Sequence, residues 1–189
     1  MKKIILASGS PRRRDLMFGL DLDFEIDTLN DFKESIDLPT APCEVPVNMS
    51  VGKSHGFHRV LSKDEVLVTA DTVVIVGSKV LGKPHSREEA VDMLRLLSGR
   101  THEVVTAVTI RDIDREETFS DSTLVTFGDL SDADIDYYVD KYRPFDKAGA
   151  YGVQEWIGYV GIERIEGSFY NVMGFPVHRV RKSLESFLQ

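Results

Sequence analysis

Apolar positions along the chain follow two rhythms, one of period two or unbroken and one of helical spacing. Ile4-Ile5-Leu6-Ala7 is an unbroken apolar run, and it predicts an inner strand over Lys3 to Ala7. Val66 to Val76 is a longer, β-branched run. Gly77-Ser78 after it reads as a tight hairpin leading into Lys79-Val80-Leu81. Val104 to Asp112 and Glu117 to Phe127 read as two long strands turning around Asp114-Arg115, and Gly158 to Ile165 as another strand. Helical spacing is clearest over Ser86 to Ser98. Ala90, Met93, Leu94 and Leu97 share one face there, Ser86 and Glu89 form a capping box, and Gly99 stands just past the end. Ser131 to Tyr142 predicts a second capped helix with Ile135, Tyr138, Val139 and Tyr142 inward. Val177, Val180, Leu184 and Phe187 line a terminal helix. Asn48 to Leu61 is read as a helix with a poor apolar pattern, weakened by Gly52 and Gly56. Asp31 to Pro46 has three prolines and little periodicity, and is read as a loop.

Interleaved strands and helices predict a mixed α/β (α+β) domain, a twisted mixed sheet flanked by helices. No repeat, low-complexity tract or linker divides the chain, so residues 1–189 are read as a single domain. At 42% hydrophobic and 29% charged residues the chain can bury a sizeable core and stay soluble. No apolar stretch approaches a membrane span, and the start of the chain lacks signal-peptide features, so no membrane partner and a cytoplasmic location are expected. Cys43 is the single cysteine, which excludes an intramolecular disulfide and a multi-cysteine metal site. The net charge of −8 argues against nucleic acid as a partner. An anionic ligand would have to be drawn by a local basic site.

Such a site stands at the first strand's end. Ser8-Gly9-Ser10-Pro11 leads into a helix whose first turn carries Arg12, Arg13 and Arg14. Cations are unfavourable at a helix N-terminus unless an anion sits there. Backbone N–H groups, the hydroxyls of Ser8 and Ser10 and guanidinium groups would then converge on phosphate oxygens. The other reading is a surface helix with solvated arginines and Ser10 as an N-cap. Asp71 puts a carboxylate inside an apolar run, where an unpaired charge is costly. It is either a metal ligand or general base, or a structural acid capping a neighbouring turn. Lys83, in Gly82-Lys83-Pro84, either meets phosphate or is solvated. Asp146 to Gln154 is rich in small residues. It either lets backbone approach a flat ligand, with Gln154 pairing a base edge, or is a packed structural turn. Arg100 after the predicted helix is placed to offset its dipole. His55 and His58 have no nearby residues to complete a metal site.

Taken together, the segments Leu6 to Arg14, Ala70 to Val74, Leu81 to Pro84, Leu97 to His102, Asp146 to Gln154 and Asn171 to Pro176 resemble, in order and spacing, the Maf family of nucleoside triphosphate pyrophosphatases. The resemblance covers nearly the whole chain. It implies a Maf/ITPase-like fold with two lobes around a central cleft. It implies hydrolysis of a nucleoside triphosphate to the monophosphate and pyrophosphate, with Mg²⁺ or Mn²⁺, by a homodimer. Asp71 matches the family's catalytic base and metal ligand, and Glu34 a second acidic metal position. Arg12, Thr72 and Gln154 match specificity positions. Arg13, Lys53 and Lys83 match basic residues assigned here to phosphate with Ser8 and Ser10. Arg12 after Ser10-Pro11, Asp71-Thr72 and Tyr151-Gly152-Val153-Gln154 together resemble the branch that prefers dTTP and UTP. The chain departs from the family pattern at Met49-Ser50-Val51-Gly52-Lys53-Ser54, where alanines are usual, at Lys33 before Glu34, and at Glu155, where a glycine usually follows Gln154. Two rival readings are a hydrolase of modified nucleotides, in a nucleotide-pool cleaning role, and a nucleotide-binding regulator of septum formation with little turnover.

Overall fold

The computed structural model describes residues 2–33 and 41–189. Its strands are β1 (Lys3–Leu6), β2 (Phe24–Ile26), β3 (Glu65–Val76), β4 (Lys79–Leu81), β5 (Thr101–Arg111), β6 (Glu116–Phe127) and β7 (Ile162–Glu166). The helices are α1 (Pro11–Phe18), α2 (Val45–His55), α3 (Arg87–Leu97), α4 (Asp132–Tyr142), α5 (Trp156–Gly161), α6 (Phe169–Val172) and α7 (Val177–Leu188). The strands form one mixed seven-stranded sheet in the order β2-β1-β3-β5-β6-β7, with β4 paired to β3. β1 runs parallel to both β2 and β3, while β4 and β7 pair antiparallel with β3 and β6. The expected mixed α/β class and the strand assignments of the first two-thirds of the chain hold.

The chain divides into two compact units, and β3, β5 and β6 each run through both. The first unit holds residues 1–71, 106–121 and 174–189. Its core sets Ile4, Leu6, Val66, Val68 and Ala70 of β1 and β3 against Met17 of α1 and Val180, Leu184 and Phe187 of α7. Ile5 and Leu67, one residue out of phase with those positions, pack with Phe57 and Leu61 instead. That is the period-two signature of strands buried on both faces. The second unit holds residues 72–105 and 122–173. There α3 and α4 bury the faces read from their spacing, with Tyr142 half-buried. Arg87 spans to Asp136 and Asp140, and Arg95 to Asp132, tying the two helices across their exposed sides.

Three expectations are corrected. The second helix begins and ends earlier than Asn48 to Leu61, because Pro46 sits in its first turn, where a missing N–H is harmless, and because its glycines serve a neighbour. A Cβ at Gly52 would collide with the Phe32 ring, and one at Gly56 would lie 2.6 Å from Phe32 Cβ. The two glycines therefore make room for a ring that covers the helix. The stretch read as a strand from Gly158 is α5 up to Gly161, and strand geometry starts only at Ile162. Burial of Ile157 and Gly161 at i, i+4 decides for the helix, although Trp156, Ile157, Tyr159 and Val160 are strand formers. Finally, Ser86 caps α3 by accepting the Glu89 N–H at 3.1 Å, but the Glu89 carboxylate turns to the His85 N–H at 2.7 Å, so the box is open. The closed box is on α4, between Ser131 and Asp134.

Candidate active site

In the first unit the strand–turn–helix at the start of the chain and the middle of β3 are stitched together by one side chain. Arg13 donates through Nε to the Gly174 carbonyl at 2.8 Å and through Nη1 to the Ala70 carbonyl at 2.9 Å. The same Nη1 lies 3.4 Å from Ser8 Oγ. Ser8 is buried, and its Oγ also accepts the Ser10 N–H at 3.3 Å, which shapes the turn. Ser10 stands at the N-cap of α1 without a side-chain cap bond, so its hydroxyl is not used as the plain cap that the sequence allowed. No acidic residue occupies the first turn of α1, and Arg12, Arg13 and Arg14 are all half-buried. The helix start is thus electropositive from both backbone and side chains.

Asp71 follows Ala70 on β3, at the point where an otherwise buried strand becomes half-buried for two residues. Its Oδ1 accepts Lys53 Nζ at 2.7 Å. The pairing has a simple geometric origin. Thr69 and Asp71 point to the same sheet face, and Ser50 and Lys53 to the same helix face. Thr69 Oγ1 donates to the Ser50 carbonyl at 2.8 Å, and Lys53 then falls on Asp71. α2 is fixed at two more points. Ser50 Oγ meets Thr109 Oγ1 at 2.6 Å, while Arg111 reaches Ser54 Oγ at 3.0 Å and the Ser54 carbonyl at 2.7 Å. Both serines are fully buried. They are the positions where the sequence departs from the family's alanines, and their hydroxyls hold the helix that carries Lys53. Glu34 lies outside the described residues. The chain leading to it is anchored on α2: Asn30 Nδ2 donates to the Lys53 carbonyl at 2.6 Å, and the Asp31 N–H to the Gly56 carbonyl at 2.8 Å. Among the described residues no three acidic, histidine or cysteine side chains form a group that could hold a metal ion. His55 and His58 pair with Glu116 and Asp27 at 2.8 and 2.9 Å.

The second unit carries the remaining candidates. Thr72 follows Asp71 on β3 and is half-buried. Lys83 is exposed on the loop after β4, above buried Pro84. That loop is bonded to the small-residue loop, since the Gly149 N–H donates to the Gly82 carbonyl at 3.0 Å. Gln154 is half-buried, yet its Oε1 is shielded from solvent and has no partner among the described residues. Sequence reasoning passed over the residues that shape this loop. Tyr138 accepts the Gly152 N–H at 2.9 Å and donates to Glu155 Oε2. Lys147 is buried and meets Asp146 Oδ1 at 2.7 Å and Glu155 Oε1 at 3.2 Å. His102 Nε2 and the Tyr151 hydroxyl share a 2.7 Å hydrogen bond, with Phe127 stacked on the imidazole. Burial pushes His102 down to about 4, so the ring is neutral at pH 7. A lysine within a small-residue run was the available signal for Lys147. Tyr138 was legible only as core.

A family model described as Maf-like protein matches residues 3–187. The chain belongs to the Maf family. Among related Maf chains, a dTTP/UTP pyrophosphatase of Porphyromonas gingivalis is 51% identical over 187 residues, covering 98% of this chain and 94% of its own. Proteins of the same name from Bacteroides thetaiotaomicron and Parabacteroides distasonis are 49% and 48% identical, over 97% and 98% of this chain and 95% and 96% of theirs. A HAM1 protein from Coxiella burnetii matches this Maf chain in fold, with a TM-score of 0.51 at 11% identity, over 98% of this chain and 100% of that one. The Maf chain therefore shares a fold well beyond its recognisable relatives.

Proposed function

We propose that the chain hydrolyses dTTP and UTP to the nucleoside monophosphate and pyrophosphate. The observation that carries this reading is near-half identity, end to end, with proteins named dTTP/UTP pyrophosphatase. The geometry is compatible with it. Asp71 is a half-buried carboxylate held in place by an ammonium group and placed next to Thr72 in one strand. An electropositive strand–turn–helix, bolted by Arg13 to the residue before Asp71, offers a place for phosphates.

In this reading Asp71 orients a water and takes its proton as the water oxygen bonds to the α-phosphorus. The bond from that phosphorus to the bridging oxygen breaks, and pyrophosphate leaves with the electron pair. Lys53 keeps the carboxylate directed, while Arg12 and Lys83 offset triphosphate charge. Arg13 acts mainly by holding the turn and Ser8. Gln154 and Thr72 read the pyrimidine edge. The oxygen donors suit a hard divalent cation, Mg²⁺ or Mn²⁺, since such ions are often held by one or two carboxylates together with substrate phosphates. Asp71 would hold it, with Glu34 as the second acid that the family resemblance assigns. A cation bound there would offset the charge of the triphosphate and of the leaving group. The alternative of a nucleotide-binding regulator gains nothing from the names of the relatives.

The test is release of pyrophosphate and monophosphate from a panel of triphosphates with Mg²⁺, Mn²⁺ or chelator. Turnover of dTTP and UTP that stops with chelator is expected. Turnover confined to modified nucleotides would overturn the specificity, and tight binding without turnover would overturn the activity.

A further inference from the structure

The last turn of α2 carries Lys53, and its main chain is held from outside the helix. The final carbonyls of a helix have no N–H partner within it. Asn30 Nδ2 donates to the Lys53 carbonyl at 2.6 Å. Arg111, the last residue of β5, donates through Nη2 to the Ser54 carbonyl at 2.7 Å and through Nε to Ser54 Oγ at 3.0 Å. A guanidinium there also meets the negative end of the helix dipole. Glu116 of β6 backs this fork, with Oε2 3.8 Å from Arg111 Nε and 2.8 Å from His55 Nε2. The hairpin beyond Arg111 is itself braced. Asp112 accepts the N–H groups of Asp114 and Arg115 at 2.9 Å each and Lys2 Nζ at 2.6 Å. Arg115 donates to the Ser186 carbonyl of α7 and lies 4.0 Å over the Phe187 ring. The guanidinium of Arg111 is therefore mounted on a fixed platform.

Lys53 comes one residue before Ser54, and its Nζ meets Asp71 Oδ1 at 2.7 Å. A lysine stem is flexible, so where its ammonium settles depends on where the backbone beneath it is held. Ser50, bonded to Thr69 and Thr109, fixes α2 one turn before Lys53, and Arg111 fixes it one residue after. We infer that Arg111 is a positioning residue: it sets the backbone from which Lys53 reaches, and so keeps the Asp71 carboxylate directed during the reaction. This rests on the proposed role of Asp71. Because Arg111 grips a main-chain oxygen, the effect does not depend on the serine that replaces the family's alanine at 54, whose hydroxyl adds a second bond to the same guanidinium.

The experiment measures kcat and KM for dTTP with the parent protein, Arg111→Met, Arg111→Lys, Lys53→Met and the Arg111→Met/Lys53→Met double variant, with the folded fraction of each taken from urea unfolding. Lysine-selective ¹⁵N NMR of the ammonium groups, without nucleotide or metal, reads the ion pair independently of turnover, and Lys53→Met assigns its signal. Arg111→Met is expected to lower kcat about 10-fold while KM stays within about twofold, since a small misplacement of a catalytic group costs rate before binding. The Lys53 signal should move and exchange faster in that variant, as the ion pair loosens. Arg111→Lys, which still reaches one oxygen, should recover part of kcat. On the Lys53→Met background Arg111→Met should lower kcat no further, although its cost in stability remains. A parental Lys53 signal in Arg111→Met overturns the inference, and so does a kcat loss that recurs in full on the Lys53→Met background. Parental kcat in Lys53→Met overturns it together with the role given to Lys53. If Arg111→Met does not fold, Arg111→Lys decides by the same two readouts. If the parent does not turn over dTTP, the proposed activity fails and the Lys53 signal alone decides whether Arg111 positions Lys53.

Discussion

Replacing Arg13 separates two roles that the sequence could not tell apart. As a phosphate ligand, Arg13 would contribute nothing to the nucleotide-free protein, since a group that only binds ligand stabilises only when ligand is present. As the structure has it, Arg13 makes two charge-assisted hydrogen bonds, to the Gly174 carbonyl at 2.8 Å and the Ala70 carbonyl at 2.9 Å. Such bonds contribute roughly 1.5–3 kcal/mol each, and the half-exposed setting favours the lower figure. Arg13→Met should therefore cost about 3 kcal/mol, and Arg13→Lys, which keeps the charge but reaches one carbonyl, about half of that. For a chain of this size the methionine variant should melt about 6–12 °C lower. The assay is urea and thermal unfolding without nucleotide or metal at pH 7. Because Ala70 precedes Asp71, both variants should also lose kcat, not only raise KM. An Arg13→Met protein that unfolds at the parental midpoint with the parental slope, and is impaired only in KM, would refute the clamp.

Further predictions follow from other contacts. Gly52→Ala forces a methyl group into the Phe32 ring and should destabilise by about 1–3 kcal/mol, which urea unfolding reads; Phe32→Ala should remove most of that penalty in the double variant. His102 is held at about 4 in the folded chain against 6.5 in the unfolded one. Above pH 6.5 neither state carries the proton and the group is silent. Between 6.5 and 4 only the unfolded state takes it up, so lowering the pH from 7 to 5 should remove about 2 kcal/mol, and His102→Gln should abolish that part of the loss. Ser131→Ala opens the capping box of α4 and should cost about 1 kcal/mol by the same measurement.

Elements with strong local signals were legible. The β1 run, β3 with its hairpin, and the amphipathic faces of α3, α4 and α7 sit close to where apolar spacing puts them. What failed was set by partners distant in sequence. Gly52 and Gly56 look like helix weakeners until Phe32 is seen to need their space. Trp156, Ile157, Tyr159 and Val160 of α5 prefer strands, and only packing decides otherwise. β2 has three residues, none of them buried, and leaves no periodic trace. At the site, residue type pointed to Asp71, Lys83 and Gln154, and the family resemblance to Lys53, but neither pointed to function-shaping contacts. Arg13 commits Nε and Nη1 to carbonyls more than 50 positions away in sequence, at Gly174 and Ala70. Tyr138 reads as core because its ring is core. Only its hydroxyl, at the end of a buried ring, reaches the turn that carries Gln154. Glu155 departs from a family pattern, and nothing in the sequence says that the departure is answered by Tyr138 and Lys147.

The most direct test of the account is hydrolysis of dTTP in water enriched in ¹⁸O, with both products weighed by mass spectrometry. Attack at the α-phosphorus with Asp71 as the base predicts one ¹⁸O in dTMP, none in pyrophosphate, and a rate lowered about 10²–10⁴-fold in Asp71→Asn. Label in pyrophosphate, formation of dTDP and phosphate, or parental turnover by Asp71→Asn would contradict it.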